Sequence, residues 1–136
     1  MRRILRISIF AICLLSCFSC SKELTDAIEK AAKDSKSIVN ITLKDDYGNI
    51  IDKGFTVYMF SSSTWNAFGD TPFHATSTVV ANESGVAKFI IDDIFVETQQ
   101  TYYFSCHYRL GETPKSSHVG VTLQAGETAN KTLILN

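Results

Sequence analysis

Residues 38–136 predict an all-β domain, a single antiparallel β-sandwich of about seven strands. Hydrophobicity alternates with a period of two from Ile38 onward. Turn residues break that alternation at short intervals, as they do in sandwiches. The segment has the length of one domain, enough for a modest core but not for two.

The chain opens on Met1-Arg-Arg-Ile-Leu-Arg6 and an apolar run, Ile7 to Leu15. That run is too short to span a bilayer, which takes about 20 apolar residues. A basic start, a short apolar run and then small residues is the layout of a secretory signal. No Ala-x-Ala cleavage site follows. Instead the chain reads Leu14-Leu15-Ser16-Cys17 and Phe18-Ser19-Cys20. These residues resemble the bacterial lipoprotein signal, in which a cysteine behind a Leu-x-Ser box is acylated and becomes the new N-terminus. The resemblance implies lipidation at Cys17 or Cys20. Cys17 has the better box; Cys20 has the more familiar polar sequel, Ser21-Lys22-Glu23. A zinc site here would need a second Cys or His pair at matching spacing, and none exists. Residues 1–19 are therefore read as a signal peptide cleaved before Cys17 or Cys20. Residues 20–37 form a charged tether, in which Leu24, Ile28, Ala31 and Ala32 make a weak helical stripe.

In the domain, "IVNITLK" sets Val39, Ile41 and Leu43 on one face and Asn40, Thr42 and Lys44 on the other. "DDYGN" is a turn and "GFTVYMF" (54–60) the second strand. Residues 61–74 read as a polar loop, followed by "ATSTVVA" (75–81) and the turn "NESG". "VAKFIID", "TYYFSCHYR", "SHVGVTLQ" and "ANKTLILN" complete the set, with "LGETPK" and "AGE" as the last turns. The last strand is the candidate for β-strand addition to a partner, should its edge be uncovered.

Taken together, "VNITLKDDYGNIIDKGFTVYMF", "NESGVAKF", "TYYFSCHYR" and "GETANKTLIL" resemble bacterial transthyretin-like modules, also called carboxypeptidase regulatory-like domains. The resemblance covers nearly all of residues 38–136. It implies Greek-key topology and an accessory, adhesive or scaffolding role, with no catalytic residues. In multidomain proteins the module is an appendage, whereas here it is expected to be the whole exported body.

Candidate chemistry is sparse. Alternation turns Tyr102, Phe104, Cys106 and Tyr108 inward and Tyr103, Ser105, His107 and Arg109 outward, so His107 cannot easily serve Cys106 as a base. A symmetric hairpin of 101–109 with 116–124 would set His107 opposite His118, a pair that could hold zinc or copper weakly. Two ligands fall short of a zinc site. Trp65, Phe68 and Phe73 in the 61–74 loop could stack on sugar rings or anchor a protein, or fold back over the open end of the sandwich. Asp45-Asp46 and Asp92-Asp93 read as turn residues, lacking the ordered offsets of a calcium loop. No phosphate loop, Gly-x-Ser-x-Gly elbow or His-Glu-x-x-His motif occurs.

Loss of the signal removes three of the 13 basic residues and none of the 14 acidic ones, leaving 10 − 14 = −4. That charge argues against nucleic acid. The expectation is a lipid-anchored bacterial lipoprotein of the outer membrane, facing the periplasm or the cell surface. It would be non-catalytic and free of cofactors, binding or assembling with a protein partner. The alternatives are glycan binding by the Trp65 loop and weak metal binding through His107 and His118.

Overall fold

A computed structural model describes residues 36–92 and 98–136. The signal peptide, both lipidation candidates Cys17 and Cys20, and the tether up to residue 35 lie outside the described residues, as does Asp93.

Seven strands form the domain: β1 (Ser37–Lys44), β2 (Thr56–Ser61), β3 (Ser77–Val80), β4 (Val86–Ile91), β5 (Gln100–Leu110), β6 (Thr113–Leu123) and β7 (Thr128–Ile134). One sheet has the order β4-β1-β7 and the other β3-β2-β5-β6. The chain therefore crosses between sheets after β1, β3, β4 and β6. The alternation decides what faces inward: Val39, Ile41, Leu43, Val57, Phe104 and Cys106 are completely buried between the sheets. Phe89 of one sheet meets Phe104 of the other edge-to-face, with centroids 5.0 Å apart.

One pairing departs from the antiparallel expectation. β1 runs parallel to β7, Ile38 lying beside Thr128 and Lys44 beside Ile134. The "AGE" turn is the reason, because it crosses between sheets instead of closing a hairpin. The Ser37 hydroxyl donates to the Gln124 carbonyl (3.0 Å) and accepts from Gly126 N–H (3.0 Å), and Ile38 N–H bonds Glu127 O (2.9 Å). β7 is thus delivered to the starting end of β1 and must run the same way.

The two expected turns are both built on a side-chain oxygen. Asp45 Oδ1 accepts from Tyr47 and Asn49 N–H, and Asn82 Oδ1 from Ser84 and Val86 N–H. The bonds from Asn49, side chain first, hold the Asp45 carboxyl below its ordinary range. Gly85 closes the second turn at φ +70°, where an added Cβ would stand 2.6 Å from Ile50 Cγ2 and 2.8 Å from the Ile51 carbonyl oxygen. Only glycine fits that approach.

Candidate functional site

The residues that carry chemical character gather on the outer face of the four-stranded sheet. Two side chains give the reason. Phe60 and Ser105 point away from the core, yet both are fully buried. What covers them is the stretch 61–76, which does not run as the expected loop. Ser62–Phe68 form helix α1 and Pro72–His74 a 3-10 turn, together a cap over the sheet. The helix begins at Ser61, whose hydroxyl accepts from Thr64 N–H (3.2 Å), and ends at Gly69, φ +60°, whose N–H returns to the Trp65 carbonyl (2.8 Å). Ser62 Oγ ties its first turn to the Thr101 carbonyl at 2.6 Å.

Trp65 fastens the cap to the sheet. Its indole lies nearly parallel to the Tyr103 ring (4.8 Å, 11°), edge-on to Phe60 (5.4 Å) and beside His118 (5.2 Å). The room for this stack comes from Gly120, opposite Tyr103 on β6, where a Cβ would meet the Tyr103 ring at 3.2 Å. Trp65 is therefore a packing residue. Phe68 and Phe73 are not: 53% of the first and 90% of the second are exposed. Phe68 stacks on His74 (3.9 Å, 15°) while Phe73 meets the same imidazole edge-on (84°), so the two phenyl rings share no plane.

Asp70 is the second fastening, and sequence reasoning passed over it. Its Oδ1 accepts from Ser105 Oγ (2.6 Å) and lies 2.8 Å from His107 Nε2. Its Oδ2 is buried without a protein partner. Burial alone would raise this carboxyl, but hydrogen bonds from Ser105, His107 and, more weakly, Ser116 outweigh it and hold the group below 3.8. His107 is further braced by the edge of Tyr58, 5.7 Å away. A serine, a histidine and an aspartate thus meet, but not as a nucleophilic relay. The buried Ser105 hydroxyl gives its proton to Asp70 and makes no bond to the imidazole that would activate it.

The expected facing of His107 and His118 does not occur. Leu110 pairs with Thr113, so the hairpin closes on Gly111-Glu112 alone, and the register puts Ser116 opposite His107 and Ser105 opposite His118. Gly111 takes φ +63° at the first central position, the backbone of a II′ turn, which fits the twist of the strands. The six-residue turn assumed from the sequence would have shifted the pairing by two. His107 turns to Asp70 and His118 to Trp65 instead. Among the described residues no three His, Cys, Asp or Glu side chains are grouped to hold a metal ion. Cys106 faces the core, where burial first and the nearby Asp70 charge second push its thiol up to about 11. Among the described residues Asp92 makes a long, exposed ion pair with Lys36 (3.9 Å).

No protein-family model matches the chain, and no curated protein matches it. No helix among the described residues is long and apolar enough to cross a membrane.

Proposed function

We propose that this protein is a non-catalytic binding module of the bacterial cell envelope, moored to the outer membrane by a lipid on Cys17 or Cys20, and that it contacts a protein partner through Phe68, Phe73 and His74. One observation carries the contact surface: two phenyl rings stand exposed on a cap that is rigid beneath them. Thr71 Oγ1 bonds the Phe68 carbonyl (2.7 Å), His74 N–H bonds Thr71 O (2.9 Å), and Trp65 and Asp70 hold the middle of the cap to the sheet. Exposing a ring forgoes about 1.5–3 kcal/mol of burial, whereas a held, exposed ring loses little further entropy when a partner covers it. Exposed aromatics of this kind are what interfaces use as anchors. The inclined rings and the packed Trp65 leave no flat platform for a sugar, which favours protein over glycan. The resemblance to transthyretin-like accessory modules supports the absence of catalysis, and the two lipobox-like segments support the mooring.

The test places a photo-crosslinking phenylalanine analogue at position 73 of the full chain in its own cells, with the same analogue at Tyr47 as a control of equal exposure. One discrete crosslinked protein from position 73, absent from position 47 and lost with Phe68→Ala, is the expected result. No crosslink, or the same products from both positions, overturns the proposed surface. Membrane fractionation of the Cys17→Ala/Cys20→Ala variant tests the mooring separately; retention of that variant with the membrane rejects lipidation.

A further inference from the structure

Strand β6 ends the four-stranded sheet, so one of its sides pairs with β5 and the other with no strand. Bonded and non-bonded positions alternate along an antiparallel pair. The two-residue turn starts the β5–β6 ladder on the bonded pair Leu110–Thr113, so Thr113, Lys115, Ser117, Val119, Val121 and Leu123 turn their backbone to β5. Ser116, His118, Gly120 and Thr122 turn theirs to the open side. There, among the described residues, no N–H or C=O of the four has a backbone partner. The open stretch is closed at both ends: Pro114 has no N–H, and the Gln124 N–H is taken by the Glu127 carboxylate (2.9 Å). Edge strands are ordinarily blunted by shortness, charge, proline or a bulge. β3 has four residues, and β4 and β7 carry the exposed Lys88 and Lys131. From Ser116 to Gln124 the chain has none of these: no charged residue, no proline, and an unbroken register of β6 with β5.

From this arrangement we infer that β6 is the seam of a homodimer, pairing antiparallel with β6 of a second copy across a two-fold axis at Val119. Of the registers that bring open positions together, this one uses them all. Ser116 meets Thr122 of the second copy and His118 meets Gly120, so the four open N–H and four open C=O groups of each copy are bonded. A shift of two residues either way fails. It sets Thr122 against Pro114, which cannot donate, or Ser116 against Gln124, whose N–H is already taken. The side chains suit the same register. Gly120 has no Cβ to obstruct the imidazole opposite, and the half-buried Val119 meets its own counterpart. Lys115 falls opposite Leu123, far from the other Lys115, so no like charges meet. This self-matching favours a second copy over an unrelated strand. The seam is independent of the Phe68–Phe73 contact, which lies on the cap.

The test follows the detergent-solubilised full chain by sedimentation, and separately oxidises variants that carry one added cysteine. A reversible dimer is expected, with a dissociation constant unchanged by Ser116→Ala and raised about tenfold by Ser116→Pro. The Ser116 N–H faces away from β5, so proline there keeps the fold. Ser116→Ala separates loss of the side chain from loss of the N–H. Val119→Cys is expected to give a disulfide-linked dimer, because the axis brings the two Cβ atoms within disulfide reach. Ser117→Cys, which falls opposite Val121, is expected to give no more of it than the parent chain. A monomer at every concentration, a dimer indifferent to Ser116→Pro, or equal crosslinking of Ser117→Cys and Val119→Cys would overturn the seam. In cell membranes, a Val119→Cys crosslink to a different protein alone would assign the edge to a partner's strand and overturn the homodimer.

Discussion

Asp70 shows how one residue can hold a layer that hydrophobic patterning does not call for. It lies 35 residues from Ser105 and 37 from His107, and its two short bonds draw the cap onto the sheet. Replacing it by asparagine removes the charged acceptor and should cost about 1–2 kcal/mol at neutral pH, read from urea unfolding. Folding lowers this carboxyl, so the stability it contributes is complete above its unfolded value near 3.8 and is lost as the pH falls through the lowered folded value. The gap between the parent and Asp70→Asn should therefore be present above 3.8 and narrow progressively as the pH falls below it. A gap that persists unchanged in acid would mean the carboxylate charge contributes nothing. Asp70 was not legible in the sequence, because a lone Asp after a glycine carries no sign of partners so far away. Cys106 was legible, since its place in an alternating run already turned it to the core.

At the scale of elements, strands and turns could be read and the cap could not. Val39, Ile41 and Leu43 face the core because a period of two has only two faces to choose from. The Asp45 and Asn82 turns could be read from their side chains' habit of bonding the backbone ahead. α1 was missed because Ser62, Ser63 and Thr64 are weak helix formers and a seven-residue helix shows no apolar stripe. Its signal was the punctuation: Ser61 as cap, Gly69 as stop. The hairpin was placed two residues out of register because "LGETPK" holds several turn formers and the one that closes it is Gly111. A further consequence falls on the turn before β4. Gly85→Ala must accept a positive φ and push aside Ile50 and the Ile51 carbonyl. The expected loss is about 2–4 kcal/mol in chemical denaturation, combining backbone strain with overpacking. A loss below about 0.5 kcal/mol would show that the β1–β2 connection yields freely.

For the molecule as a whole, the sandwich follows from alternation and length, but strand order does not. Pairings such as Ile38 with Ile90 and Ile38 with Thr128 join residues 52 and 90 positions apart, and no local pattern encodes them. They also set how the domain bears load. β1 and β7 lie side by side and parallel, so a pull on the start of β1 against the end of β7 draws the two strands past each other lengthwise. Their rungs then share the strain and must fail together, whereas the β5–β6 hairpin, pulled apart at its open ends, parts one rung at a time. Stretched between residues 36 and 136 in an optical trap, the domain should resist to a markedly higher rupture force than when gripped at Gln100 and Leu123. Equal forces in the two directions would mean that the β1–β7 ladder is not the element that bears the load. A protein hauled by its N-terminal end would feel that force along its most resistant axis.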